Sequence, residues 1–146
     1  MPTVIDDATL LAVLTRRAGP GLLSAAERGE VLTTGSWYYR LHRALHDPES
    51  DGSLSAAAAD LSLPARQVLF DVLDDLPPEI IVPGPRLVVP VAGALRLRRR
   101  VNHLTAEALA VALISQADIR VRIDAKPLRD ACQELNVALT ILAPTA

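Results

Sequence analysis

Apolar residues recur along this chain in two rhythms: the spacing of one helix face, and short runs or alternations of the kind strands use. Thr3-Val4-Ile5 is a β-prone run that stops at two carboxylates, Asp6 and Asp7. Leu10, Leu11, Val13 and Leu14 follow at helical spacing, and Gly19-Pro20-Gly21 ends that helix. Ser24-Ala25-Ala26-Glu27 has the spacing of a capping box, so a second helix is expected to start there. A longer helical pattern carries Trp37, Leu41 and Leu45 on one face, and residues 47–53 form a polar loop, the expected site of disorder or nicking. Leu54 to Asp60 is Ala-rich and helix-prone. Pro64 suits the first turn of the next helix, on which Val68, Leu69, Val72 and Leu73 line up until Pro77-Pro78.

Ile80-Ile81-Val82 then has the composition of a strand. Residues 86–100 are ambiguous: Leu87-Val88-Val89 suits a strand, and Pro90 suits the opening of a short helix that ends in an arginine run. Thr105 to Gln116 is a helix with Leu109, Ala112 and Leu113 inward. Residues 119–123 alternate strictly and form a strand. Lys126 to Leu135 is a helix with Leu128, Ala131, Cys132 and Leu135 inward, and residues 138–142 close as a strand. A strand, several helices, then strand–helix–strand–helix–strand predicts one α/β domain over residues 1–146, with a mainly parallel central sheet and helices on both faces. Such folds place their sites beyond the carboxyl ends of the strands.

Composition narrows the chemistry. Half of the 146 residues are hydrophobic, with one Trp, one Phe and two Tyr, so aliphatic side chains must fill the core. The net charge of −2 gives no global attraction to nucleic acid or anionic membrane, and any such contact needs a local basic patch. Cys132 is the only cysteine; on a helical pattern it is expected as a buried small hydrophobe. The N-terminus lacks the pattern of a signal peptide, and no run approaches the roughly 18–20 apolar residues that span a bilayer. The expected location is cytoplasmic, with no membrane partner.

Three carboxylates carry the candidate chemistry. Asp6 ends the first strand, Asp124 ends strand 119–123, and Glu107 is expected in the first turn of the helix leading into that strand. If their strands are parallel neighbours, Asp6 and Asp124 meet at one sheet edge. Converging carboxylates repel one another and are relieved by a hard divalent cation such as Mg²⁺ or Mn²⁺, which orients a phosphodiester and activates water. Each acid also has an ordinary use: Asp6, Asp7 or Asp124 as a helix N-cap, and Glu107 as a complement to a helix dipole.

These segments resemble a known family. Val4 to Leu14, with a strand ending in Asp before a Leu-rich helix, looks like the opening of PIN domains. Leu104 to Ala112 looks like the family's Asp-Ala segment in an Ala/Leu-rich helix. Ala117 to Asp124, followed by Leu128 to Val137, is similar to its strand, acidic tip and closing helix. The resemblance implies a three-layer fold and a Mg²⁺- or Mn²⁺-dependent ribonuclease, in many members a toxin held by an antitoxin. By position, Asp6 matches the first acid and Glu107 the third, while the fourth falls on Asp124 or on Ala125. The second acid is missing: Thr33 to Arg43 matches its region without a carboxylate, and Tyr39 or Arg40 stands in its neighbourhood.

Other groups admit two readings. Trp37, Tyr38 and Tyr39 beside Arg40, His42 and Arg43 suit either base stacking with phosphate contact or core packing. Arg96, Arg98, Arg99 and Arg100 suit either a phosphate backbone or a solvated helix end. Arg40, Arg98 and Arg99 are the candidate substrate-binding residues. His42, His46 and His103 show no metal-ligand or triad pattern and receive no role. Arg120 and Arg122 interrupt a strand expected to be buried, so one face there is exposed or covered by a partner, an antitoxin-like chain or a second copy. Three functions remain: a PIN-like ribonuclease using Asp6, Glu107 and Asp124 as catalytic metal ligands; an inactive PIN-like scaffold acting as a binding or regulatory module; and a phosphoacceptor receiver domain. The last lacks an acid-bearing third strand and a suitable late lysine.

Overall fold

The structure, a computed structural model, describes residues 1–47 and 52–143. Five parallel strands form one sheet in the order β3-β2-β1-β4-β5, with helices on both faces. The strands are β1 (Thr3–Ile5), β2 (Val31–Leu32), β3 (Ile80–Ile81), β4 (Asp118–Val121) and β5 (Leu139–Ile141). The chain steps from β1 outward to β2 and β3, then returns to the other side of β1 for β4 and β5. The strand order therefore reverses between β1 and β4, the position at which open parallel sheets form a crevice beyond their carboxyl ends.

Alternation along the strands makes two cores. Val4, Leu32, Ile119 and Val121 face one layer, built by α6 (Pro85–Arg98), α7 (His103–Ser115) and α8 (Lys126–Leu135). Ile5, Val31 and Ile80 face the other, built by α1 (Asp7–Leu14), α2 (Pro20–Glu27), α3 (Gly35–His46) and α5 (Leu63–Asp74), with α4 (Ser53–Ala59) beside α3. Trp37 of α3 reaches the first core, whereas Leu41 and Leu45 belong to the second, so this helix closes one end of the sheet. The expected parallel sheet through residues 3–5, 119–123 and 138–142 is present in register: Val4 pairs with Ile119, and Ile119 with Leu139.

Several boundaries differ from expectation for local reasons. The helix expected to start at Ser24 starts four residues earlier, at Pro20, and ends at Glu27. Pro20 occupies the first turn of α2, where its fixed φ and missing N–H cost nothing, and Gly29, at φ +73°, turns the chain into β2. Residues 86–100 are helical through Arg98 despite Pro90. An internal proline costs about 3 kcal/mol, and burial of Val88, Ala92 and Leu95 offsets it. α7 starts at His103, so Glu107 lies in its second turn, and Leu113 is 39 % exposed rather than inward. Val68 is likewise exposed while Leu69 and Leu73 are buried. β4 stops at Val121, two residues early, and the half-buried Arg120 on its second-layer face donates to Asp118 at 3.2 Å. Residues 48–51 of the expected polar loop lie outside the described residues.

No helix among the described residues is long and apolar enough to cross a membrane. Cys132 is buried in the first core, as its pattern predicts, and burial pushes its thiol up to about 11, which keeps it from acting as a nucleophile near neutral pH.

Candidate functional site at the carboxyl edge of the sheet

Asp6 follows β1 directly and is 3 % exposed. It is the N-cap of α1: Oδ1 accepts from the Thr9 amide at 3.0 Å and from the Thr9 hydroxyl. Its other oxygen, Oδ2, accepts from the backbone amides of Arg122 at 3.2 Å and Ile123 at 3.4 Å. This explains the early end of β4. The alternation in sequence runs to Ile123, but the amides of residues 122 and 123 turn to the Asp6 carboxylate. A carboxylate has about four acceptor positions, and protein donors take four at Asp6.

Asp7 is the less satisfied neighbour. It is buried, and Oδ1 accepts from the Ala8 amide at 2.8 Å. Oδ2 is buried with no hydrogen-bond donor, and its nearest cation is Arg40 of α3, whose guanidinium nitrogen lies 3.5 Å away. Burial raises the Asp7 carboxyl above its ordinary value; Arg40 pulls it back down, and the adjacent Asp6 pushes it up. In the sequence Asp7 is a helix-cap candidate and one half of the Asp6-Asp7 pair that a receiver domain would use. Its i+1 position beside Asp6 was visible, but its burial was not.

Glu107 reaches the start of α3 rather than its own helix end. Oε1 accepts from the Ser36 amide at 3.0 Å, and Oε2 accepts from the Ser36 hydroxyl. Thr34, the N-cap of α3, accepts from the Trp37 amide at 3.0 Å, so Glu107 and Thr34 together satisfy two of the orphan amides of that helix. His103, one turn before Glu107 and largely exposed, completes a triangle: its Nε2 lies 2.9 Å from Ser36 Oγ and 3.0 Å from Glu107 Oε2. Ser36 and Glu107 meet the same ring nitrogen. A nucleophilic relay needs the nucleophile and the orienting acid on opposite nitrogens of the ring, so this triangle holds the α3–α7 junction and does not activate Ser36.

Asp124 is half exposed and forms an ion pair with Arg129 at 2.7 Å. The described residues contain one group of three or more His, Cys, Asp or Glu whose ligand atoms lie within 4.8 Å of one another, and Asp6, Glu107 and Asp124 are not in it. Asp6 serves the β1–β4 side of the edge and Glu107 the α3–α7 side.

The candidate cations divide likewise. Arg40 faces Asp7. Arg98 and Arg99 line a groove of about 610 Å³ with Arg100, Lys126, Asp130 and Glu134. Its position at the same edge follows from connectivity: Arg98 is five residues before His103, and Lys126 opens α8 just after β4. Arg99 pairs with Glu134 and Lys126 with Asp130, whereas Arg98 and Arg100 have no ion-pair partner among the described residues. No family model matches the chain, and no curated protein matches it significantly.

Two predictions follow from the edge geometry. Asp6→Asn replaces an acceptor oxygen with an NH₂ that faces donors, so denaturant unfolding should show a loss of about 1–3 kcal/mol or more; a change below about 0.5 kcal/mol would mean that the four bonds contribute little. Asp7 has the opposite sign. Its folded-state carboxyl is raised, so the folded state binds more protons between the ordinary and the raised value, and ionised Asp7 costs stability above that window. Asp7→Asn should therefore raise the melting temperature at pH 7, and the gain should shrink as pH falls to the ordinary carboxylate range. An Asp7→Asn variant less stable at pH 7 would show that the Arg40 pair outweighs burial.

Proposed function

We propose that this chain is a PIN-like scaffold that binds and does not cut: a module for an anionic partner, RNA being the class the resemblance implies, without metal-dependent hydrolysis. The saturation of Asp6 carries this reading. A cation at the first acid would have to displace donors from Thr9 or from the amides of residues 122 and 123. Mg²⁺ sheds water reluctantly and needs free oxygen ligands in near-octahedral array. Glu107 is similarly engaged by Ser36 and His103, and Asp124 by Arg129. Where the family has its second carboxylate, Arg40 supplies a fixed positive charge to Asp7. It neutralises by ion pairing a site that a metal neutralises by ligation.

The groove with Arg98 and Arg100 supplies the binding surface of this reading, since two of its four cations are already matched by Asp130 and Glu134 and two are not. Contacts of that kind go to phosphates and weaken with salt. A slow ribonuclease is the second reading, favoured by one observation: Asp7 Oδ2 is a buried carboxylate oxygen with no hydrogen-bond donor.

The test incubates purified protein with single-stranded RNA in Mg²⁺, Mn²⁺ or chelator, and measures binding of the same RNA by fluorescence anisotropy. Intact RNA in all three, with binding that falls as salt rises and weakens several-fold in Arg98→Ala and Arg100→Ala, is the expected result. Cleavage abolished by both chelator and Asp6→Asn would establish the second reading instead. Failure to bind RNA at low salt would remove RNA as the partner class.

A further inference from the structure

The far end of α3 carries a second polar cluster, unrelated to the carboxyl edge. His42 and His46 are one turn apart and therefore share a helix face. That face meets α5. The Tyr38 hydroxyl, one turn earlier, donates to the Leu73 carbonyl; His42 Nε2 lies 2.8 Å from Asp74 Oδ1; the His46 ring packs 4.6 Å from Phe70, centroid to centroid. The two imidazoles are 4.4 Å apart. One ligand atom from each of His42, His46 and Asp74 lies within 4.8 Å of the others. From these contacts we propose that His42, His46 and Asp74 bind a divalent transition-metal ion of the zinc class, which clamps the C-terminal end of α3 to that of α5.

The donor set selects the ion. Two imidazoles and a carboxylate suit Zn²⁺ and its neighbours, whereas Mg²⁺ prefers oxygen alone. Tetrahedral zinc with bonds of about 2.0–2.2 Å needs its ligand atoms roughly 3.4 Å apart. His42 and Asp74 are already closer than this, and the half-exposed to exposed side chains need only small rotations to close around an ion. Three protein ligands leave the remaining position to water.

The surrounding field favours a cation. His46 is the last residue of α3 and Asp74 the last of α5, so both helices present their carbonyl ends here. Asp75 follows directly, and the Tyr38 hydroxyl is pushed above its ordinary value by burial, Asp74 and Asp75. His46 distinguishes this cluster from a simple His42–Asp74 hydrogen bond: that bond needs no second imidazole beside it. From Ser36 the cluster is about 9–15 Å along the α3 axis at 1.5 Å per residue, so its ion does not serve the carboxyl edge. The two histidines alone make no metal-ligand pattern in the sequence; Asp74, on another helix, becomes their neighbour only through packing.

The experiment uses the untagged chain stripped with chelator. Competition against a chromogenic zinc chelator should show one ion per chain, with a melting-temperature rise for Zn²⁺ and none for Mg²⁺. In NMR spectra of the native chain, the ring signals of His42 and His46 should shift on adding Zn²⁺ while those of His103 stay. Affinity should fall by more than about tenfold, the scale at which even supporting residues act, in His46→Gln and in Asp74→Asn, and should be unchanged in His103→Gln. Absence of stoichiometric binding, or unshifted His42 and His46 rings, would overturn the proposal without any variant. Zinc retained in His46→Gln would reduce the cluster to an ordinary hydrogen bond. Zinc lost in Cys132→Ser but not in His46→Gln would place the ion on the thiol and overturn it equally.

Discussion

The Asp6 carboxylate is the constraint on which the sheet's carboxyl edge depends. It is buried between β1 and β4, where an unpaired charge is costly, and the fold surrounds it with donors from two sides: the first turn of α1, through the amide and hydroxyl of Thr9, and two amides beyond β4. Hydrogen bonds to a charged group are stronger than those between neutral ones. The same four bonds start α1, end β4 and close the point where strand order reverses. A second charge beside Asp6 is then harder to satisfy, and Asp7 bears that cost, with Arg40 as its counterion.

Glu107 does for the other side of the edge what Asp6 does for its own. It satisfies the amide of Ser36 at the start of α3, so that α7 and α3 are joined through a carboxylate and not through apolar packing alone. Helix α3 thereby bridges two polar clusters: Ser36, His103 and Glu107 at its start, and His42, His46 and Asp74 at its end, with Leu41 and Leu45 buried between them. The first cluster is closed on itself by hydrogen bonds; in the second, His42 and Asp74 are 2.8 Å apart and one ligand atom of each of the three residues lies within 4.8 Å of the others.

Much of the architecture was legible because periodicity reports burial directly. The parallel layered sheet, the helix on residues 126–135, the buried Cys132 and the strands near residues 3–5 and 139–141 all follow from apolar spacing. β2 escaped because Val31-Leu32 carries no period and lacks the run of three β-branched residues that marks β3. The end of β4 escaped because its determinant, Asp6, is more than a hundred residues away in the chain. The capping-box pattern at Ser24 misled because proline at the start of α2 set the helix earlier. At the site, the residue types were readable and their partners were not. Asp6 and Glu107 stood out as acids at element ends, but nothing local revealed that Thr9, Ser36, His103 and the amides of residues 122 and 123 would engage their oxygens.

Amide NMR of the native chain tests most directly whether protein donors, and not a cation, hold these carboxylates. The amides of Arg122 and Ile123 report on Asp6, and that of Ser36 reports on Glu107. All three should be protected from hydrogen exchange in metal-free buffer and should keep their resonance positions on titration with Mg²⁺. Rapid exchange of these amides without metal, together with Mg²⁺-dependent shifts confined to them, would contradict the account and return the edge to a metal centre.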